Sequence, residues 1–316
     1  MRAAHAASLA PAATGRERVE PQLRELLALA AQAGALPPWT RAIRNRSSGP
    51  FLSRFRGRGM EYDESRPYLP GDDIRQIDWR VTARTGRPHT KLFREERERP
   101  VLLCVDFRAP MFFATRGVFK VVQAARAAAL LAWRAQQNGD RLGGLLFADD
   151  EHHELPPRRG RAATLRWLKL LADSAPRLRT APQVASPAPL SAAFTRLARV
   201  AKPGTLIFVI SDFRGFDDAA RAALARLGQH ADLGLILVHD PLEAAFPALD
   251  ESATIASGAR RLRLAGVGIS QRERYAAQFE ARVAMVRGLC REQGLLFASL
   301  DTGADPVAAL MRMFGG

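Results

Sequence analysis

Beyond residue 100, short apolar runs alternate with longer segments of helical periodicity. The run Val101–Asp106 is apolar at every position before its terminal carboxylate, which is typical of a strand that a parallel sheet buries on both faces. The other predicted strands are Leu142–Phe147, Thr205–Ile210, Leu233–His239 and Leu295–Leu300, with the polar run His152–Leu155 as an antiparallel edge. The pattern therefore predicts a mostly parallel sheet.

The segments between these runs have helical spacing. Val118–Asn138 carries one broad apolar face and ends before Gly139, so it is the clearest predicted helix. The others are a helix marked by Leu165, Leu168 and Leu171, then Leu190–Ala201, Arg221–Gln229, Gln271–Gln293 and Pro306–Met313. The Pro-rich stretch from Ala175 to Pro189 is expected to lie between helices, and Pro241–Leu264 to be an irregular excursion with an extra hairpin.

This alternation predicts an α/β fold with a doubly wound, mostly parallel sheet, helices on both faces and a small N-terminal appendage. The strands at Val101 and Thr205 are expected to be central neighbours. The predicted organisation is a leader and an N-terminal helix in residues 1–40, the appendage in 41–99 and the sheet domain in 100–316. The leader is expected to be disordered as far as Arg18, and Val19 to Gly34 to form one helix.

The appendage contains a dense block of charged, aromatic and turn-forming residues from Tyr62 to Arg84. Asp72 or Asp73 can cap a short helical turn in which Ile74 and Ile77 share a face. We expect Trp79 to pack beneath that turn. The mixed charges of the block predict that it docks onto the sheet domain instead of remaining a mobile linker.

Composition indicates a globular protein of a reducing compartment. The two cysteines, Cys104 and Cys290, lie in different predicted elements and are expected to be buried thiols. The sequence contains no apolar run of the roughly 18 residues needed to cross a bilayer. The cytoplasm is therefore the expected location, without a membrane span.

The formal net charge of +15 comes almost entirely from arginine, because lysine occurs only at positions 91, 120, 169 and 202. Arginine in a chain rich in alanine, glycine and proline is typical of a GC-rich genome, so the charge alone does not indicate a polyanion partner. A nucleic-acid-binding protein that uses the Arg-rich stretch 41–58 is the alternative function.

Polar residues that follow the two central strands could carry chemistry. Asp106, Ser211 and Asp212 should converge at the carboxyl edge of the sheet, where α/β folds bind ligands. Their oxygens suit Mg²⁺, a hard cation. The guanidinium of Arg108 could instead supply the positive charge, so we expect a metal-free pair of carboxylates, with a weak Mg²⁺ site on Asp106 and Asp212 as the alternative.

Two enzymatic interpretations of the sequence have less support than a binding site. A hydrolase built from Ser211, His239 and Asp240 lacks the glycines of a nucleophile elbow. A dinucleotide fold would require glycines directly after the first strand, and Phe107–Pro110 contains none. We therefore expect no enzymatic activity and no catalytic residues.

The element order, the Asp after the first strand and the Ser-Asp after the fourth resemble the von Willebrand factor A fold. The metal-dependent adhesion site of that fold uses Asp-x-Ser-x-Ser, a later Thr and a second Asp. This chain has Arg108 and Pro110 in place of the two serines, and Ala188 and Pro189 where the Thr would lie. The resemblance therefore implies a degenerate adhesion site.

The appendage resembles the bacterial family known as domain of unknown function 58 (DUF58). The similarity covers roughly residues 40 to 300 and has its most specific part in one block, whose motif residues are Arg66, Tyr68, Pro70, Gly71, Asp72, Asp73, Arg75, Asp78, Trp79 and Arg84. The family resemblance implies a von Willebrand A-like protein that works with a MoxR-type AAA+ ATPase in chaperone-like or complex-assembly work. The expected function is therefore a non-enzymatic adaptor for a protein partner.

Overall fold

A computed structural model of the chain describes residues 15–37, 39, 60–69, 72–95, 99–181, 189–244, 254–257, 260–263 and 269–315. Residues 1–14 of the predicted leader, the Arg-rich stretch 41–58, Pro70, Gly71 and Ala188 lie outside the described residues. Two compact units divide the chain: residues 49–98 form one, and residues 1–48 with 99–316 form the other. No helix among the described residues has the length and apolar character required to cross a membrane.

The strands are β1 (Met60–Pro67), β2 (His89–Glu95), β3 (Pro100–Asp106), β4 (Arg141–Phe147), β5 (His152–Arg159), β6 (Leu206–Ser211), β7 (Asp232–His239), β8 (Thr254–Ser257), β9 (Arg260–Arg263) and β10 (Leu296–Asp301). The α-helices are α1 (Gly15–Val19), α2 (Leu23–Ala28), α3 (Ala30–Ala33), α4 (Trp79–Thr85), α5 (Lys120–Gln137), α6 (Arg161–Thr180), α7 (Leu190–Val200), α8 (Asp218–Gly228), α9 (Pro241–Ala244), α10 (Ile269–Gln293) and α11 (Pro306–Met313). Short 3₁₀ helices span Ile74–Gln76 and Ala109–Met111.

Six of the described strands form one sheet in the order β10-β7-β6-β3-β4-β5. Each neighbouring pair is parallel except β4 and β5, so the predicted antiparallel edge is confirmed. Strand β3 lies directly beside β6, with Val105 opposite Ile210. The doubly wound sheet expected from the alternation of elements is therefore confirmed, and β8 and β9 form the extra hairpin.

Helices cover both faces of this sheet, which explains the unbroken apolar run of β3. Val101, Leu103 and Val105 belong to the core that α5, α6 and α11 close. Leu102 and Cys104 belong to the opposite core, which α7, α8 and α10 close. Successive side chains of a strand point to opposite faces, so a strand between two helical layers requires an apolar residue at every position.

The N-terminal segment departs from the prediction. The single helix expected from Val19 is interrupted, and α1 begins at Gly15, within the predicted leader. Contacts with the sheet unit hold this early turn, because the Arg18 carbonyl accepts the Phe119 amide at 2.7 Å and the Arg18 side chain donates to the Gly117 carbonyl at 2.9 Å. Leu26 is fully buried in the same core.

The helix α6 also departs from the prediction, because it continues through Pro176 to Thr180 although the irregular stretch was expected to begin at Ala175. Its buried face includes Ala175, and ion pairs hold its last turns: Arg177 pairs with Glu151 at 2.5 Å, and Arg179 pairs with Glu20 at 2.8 Å. Tertiary contacts therefore outweigh the usual cost of proline inside a helix.

The appendage unit contains the antiparallel hairpin of β1 and β2. Asp73 caps the predicted turn by accepting the Arg75 amide at 2.9 Å, and Asp78 caps α4 by accepting the amides of Arg80 and Val81. The prediction that Trp79 packs beneath the turn is wrong, because its side chain is 69% exposed. Trp79 is the first residue of α4, and the buried side chain at this point is the cap Asp78.

Candidate functional site

The carboxyl edge of the sheet brings together the residues that the sequence singled out there. Asp106 ends β3 and Ser211 ends the neighbouring strand β6. The Ser211 hydroxyl donates to Asp106 Oδ2 at 2.6 Å, and Asp212 follows directly. Asp106, Ser211 and Asp212 are all buried, so their polar atoms depend on partners within the protein.

Arg108 neutralises Asp106. Its Nη2 lies 2.7 Å from Asp106 Oδ2, its Nε lies 3.0 Å from Oδ1, and its own backbone amide donates to Oδ1 at 2.9 Å. The same Nη2 lies 3.8 Å from Asp212 Oδ1. Burial alone would lower the pKa of Arg108, but the adjacent Asp106 raises it. Arg108 is therefore a permanent cation that turns into the crevice.

A second buried cation, Lys120, neutralises Asp212. Lys120 is the first residue of α5, and its Nζ lies 2.7 Å from Asp212 Oδ2 and 3.0 Å from Glu243 Oε1. None of these three side chains is more than 1% exposed. Burial acts to raise the pKa of Asp212, but the Lys120 ammonium outweighs it and brings the value to about 2. Asp212 therefore remains ionised at neutral pH.

Arg214 extends the ion cluster towards the surface. Its guanidinium pairs with Glu243, and its Nε lies 3.6 Å from Asp212 Oδ2. Between Asp212 and Arg214, Phe213 adopts φ of +53° although it is not glycine. A left-handed bulky residue is uncommon, and here the Phe213 amide donates to Ser211 Oγ at 2.9 Å. The turn after β6 is therefore fixed by the cluster that it carries.

Asp240 has a different set of partners, which are uncharged donors. Its carboxylate accepts the Thr115 hydroxyl at 2.6 Å, the Thr115 amide at 2.7 Å, the Thr302 hydroxyl at 2.9 Å and the Leu242 amide at 3.0 Å. Burial opposes ionisation, but these hydrogen bonds, those of Thr115 first, lower the pKa of Asp240. Asp240 thereby joins the loop before α5 to the ends of β7 and β10.

The residues present do not fit the divalent ion that the von Willebrand A resemblance implies. Both oxygens of Asp106 already accept donors from Arg108, and Asp212 Oδ2 faces the Lys120 ammonium. Mg²⁺ requires oxygen ligands in octahedral geometry at about 2.0–2.1 Å, and two resident cations would repel it. Pro189, at one of the positions where the family has a threonine, precedes α7 and offers no hydroxyl.

The hydrolase arrangement considered from the sequence is not assembled. The Ser211 hydroxyl donates to Asp106 instead of to His239, and the oxygens of Asp240 accept threonine hydroxyls and amides. Burial lowers the pKa of His239, and its ring packs against Phe279 in a tilted arrangement with the centroids 5.3 Å apart.

The sequence did not single out Lys120, Arg214 and Glu243. A weak signal existed for Lys120, since it is one of only four lysines and lies at the start of the clearest predicted helix. Arg214 and Glu243 have no local signal, because a contact between the turn after β6 and the helix α9 brings them together.

The appendage motif places several of its residues in local contacts. Arg66 pairs with Asp72 at 2.7 Å, and Asp78 Oδ2 accepts the Ser65 hydroxyl at 2.8 Å. The Tyr68 amide donates to the Pro88 carbonyl at 2.9 Å. Asp73, Arg75, Trp79 and Arg84 are exposed. The motif therefore combines side chains that shape the unit with others that remain at its surface.

Comparisons with known proteins identify relatives over most of the chain. The family model described as "Protein of unknown function DUF58" matches residues 64–284. Two relatives are each 31% identical to this chain over 266 residues, which are 84% of this chain and 81% of the relative. They are the uncharacterized proteins Rv1480 of Mycobacterium tuberculosis and Mb1516 of Mycobacterium bovis.

The similar solved structures are more distant than these relatives. The conserved hypothetical protein BatB from Bacteroides thetaiotaomicron is 17% identical with a TM-score of 0.42, over 68% of this chain and 96% of BatB. The manganese-loaded TRAP protein of Plasmodium vivax is 16% identical with a TM-score of 0.29, over 45% of this chain and 57% of TRAP. The family match, in contrast, covers the appendage motif and the strands β3 to β7 of the six-stranded sheet, and the chain therefore belongs to the DUF58 family.

Proposed function

We propose that this protein is a non-enzymatic interaction adaptor that works with a MoxR-type AAA+ ATPase in chaperone-like or complex-assembly work in the cytoplasm. The observation that supports this proposal is the ion cluster of Asp106, Arg108, Asp212 and Lys120. An internal guanidinium and an internal ammonium replace the ion of an adhesion site, so the carboxyl edge can meet a partner without metal chemistry.

The arrangement of Ser211 supports the absence of catalysis. A nucleophilic hydroxyl requires a base within hydrogen-bonding distance. The Ser211 hydroxyl donates to Asp106, whose charge Arg108 already neutralises, and its oxygen accepts the Phe213 amide. These hydrogen bonds fix the end of β6 instead of activating a nucleophile.

The test is complex formation between the full chain and the MoxR-type ATPase of the same organism, measured by sedimentation with and without nucleotide. We expect a defined complex, and in nucleotide-free buffer its affinity should be the same in EDTA and in Mg²⁺, because the adaptor carries its own cations. A complex that forms only with Mg²⁺ in nucleotide-free buffer would contradict the metal-independent edge. No complex in any buffer would refute the proposed partner.

A gel-shift titration on duplex DNA tests the alternative function, which is nucleic-acid binding. Phosphate contacts lose affinity steeply as salt rises. Strong binding at low salt with that dependence, and no complex with the ATPase, would replace the adaptor proposal by the nucleic-acid-binding one.

A further inference from the structure

A small pocket opens beside the ion cluster at the carboxyl edge of the sheet. Its volume is about 160 Å³, and its walls include Arg214, Glu243, Tyr275, Phe279 and Arg282. These residues come from the turn after β6 and from the helices α9 and α10. Pockets for drug-sized ligands measure about 300–1,000 Å³, so this one has room for a side chain and not for a nucleotide.

Arg282 supplies an unsatisfied donor in this pocket. Its guanidinium lies over the Phe279 ring, 5.4 Å from the centroid. Its Nε is buried and has no hydrogen-bond acceptor within the described part of the chain. Buried polar groups in folded proteins almost always have a partner. Arg282 therefore lines the pocket with a donor that is unpaired among the described residues.

Arg214 supplies a second guanidinium to the pocket. Its Nη2 pairs with Glu243 and lies 3.2 Å from the Tyr275 hydroxyl, so the guanidinium is held in a fixed orientation. Its Nε is also buried without an acceptor within hydrogen-bonding distance in the described ranges, since Asp212 Oδ2 is 3.6 Å away. Two guanidiniums therefore line the pocket, and the Nε of each makes no hydrogen bond within the described ranges.

The charge balance of the pocket selects the kind of ligand. Arg214, Arg282 and Lys120 carry three positive charges, and the two negative charges of Glu243 and Asp212 oppose them. One positive charge therefore remains for a ligand, which matches a carboxylate better than the dianion of a phosphate monoester. Guanidinium donors match the planar, two-oxygen geometry of a carboxylate.

We propose that this pocket binds the carboxylate of an Asp or Glu side chain presented by the partner protein. The inference rests on the proposed adaptor function and deepens it, because it assigns the chemistry by which the partner is recognised. Arg282 and Arg214 contact that carboxylate directly, whereas Lys120 and Glu243 fix the orientation of Arg214.

The first experiment tests the pocket without any partner. N-acetyl-glutamate N-methylamide is titrated into the full chain by calorimetry, with the matching glutamine compound and inorganic phosphate as comparisons. We expect the glutamate compound to bind and the glutamine compound not to bind. Arg282→Gln should weaken glutamate binding by about tenfold or more, since a charge-assisted hydrogen bond is lost.

Arg287→Gln is the matched control, because Arg287 lies on the same helix α10 and its guanidinium also lies over a phenylalanine ring, that of Phe297 at 5.2 Å, outside the pocket. It should bind the glutamate compound as the parent does. Equal binding of the glutamate and glutamine compounds, or an unchanged affinity in Arg282→Gln, would overturn the inference. Tighter binding of phosphate would overturn the choice of a carboxylate. Melting temperatures show whether both variants are folded.

The second experiment repeats the ATPase titration with the same two variants. A loss of about tenfold or more in Arg282→Gln, with Arg287→Gln unchanged, supports recognition of a partner carboxylate. If the ATPase binds the parent and Arg282→Gln equally well, the adaptor function stands and the pocket is not its docking point. If the glutamate compound binds but the ATPase does not, the pocket still recognises a carboxylate, and the ATPase is not the partner.

Discussion

Replacement of Lys120 by methionine should destabilise the protein severely, because it leaves Asp212 and Glu243 buried without their shared cation. The ammonium lies 2.7 Å from one carboxylate and 3.0 Å from the other. Removal of one partner from a buried ion pair costs about 3–5 kcal/mol. Arg108 and Arg214 remain within 3.8 Å of Asp212, so we expect a loss in the free energy of unfolding of about 3 kcal/mol.

The pKa of Asp212 gives an independent check on that magnitude. It falls from 3.8 to about 2, and one pKa unit corresponds to about 1.4 kcal/mol. Ionisation of Asp212 therefore contributes about 2 kcal/mol of stability. Because the folded-state pKa is the lower one, this contribution is complete above about pH 5 and is lost as the pH falls through 3.8 towards 2.

The assay is urea unfolding at pH 7 and pH 5, with Lys169→Met as the matched control. Lys169 pairs with Asp173 at 2.8 Å, but both side chains are mostly exposed, and such pairs contribute about 0.3–0.5 kcal/mol. In Lys120→Met the carboxyls of Asp212 and Glu243 should have raised pKa values, because the ammonium no longer stabilises their charge. Protonation then removes the buried charge, so the loss in the free energy of unfolding should be smaller at pH 5 than at pH 7.

Two results would refute this reasoning. A loss at pH 7 no larger than that of Lys169→Met would mean that water or a rearranged arginine replaces the ammonium. A large deficit that is the same at both pH values would indicate lost packing of the Lys120 methylenes and not an unpaired charge.

Three further predictions follow from other contacts. Arg108→Ser should lower the melting temperature in EDTA and make Mg²⁺ stabilising, whereas the parent should show little response; identical melting with and without Mg²⁺ would show that Arg108 does not replace an ion. Asp78→Ala removes the cap of α4 and should destabilise the appendage by about 0.5–2 kcal/mol, which limited proteolysis would detect as faster cleavage between Tyr68 and Trp79. Rapid cleavage of the parent protein in the same segment would contradict the prediction that the block is docked. The Cys104 thiol, whose pKa burial raises, should resist labelling by thiol reagents until the chain unfolds, so labelling in native buffer faster than global unfolding would contradict its burial.

The periodicity of apolar residues in the sequence was sufficient for the sheet, because an unbroken run such as Val101–Val105 is stable only between two helical layers. The positions of Asp106, Ser211 and Asp212 at one edge followed from the same reasoning, since parallel neighbouring strands end side by side. Arg108 could be placed there because it lies only two residues from Asp106. These features depend on local spacing, which a single sequence contains.

The tertiary structure decided the features that depend on long-range contacts. Pro176 remains inside α6 because burial and ion pairs offset its missing amide donor. Lys120 reaches Asp212 across 92 residues and Glu243 across 123, and neither distance leaves a periodic trace in the sequence. The sequence thus determined where two carboxylates would meet, whereas only the folded chain determined that a lysine from a helix on one face of the sheet would neutralise one of them.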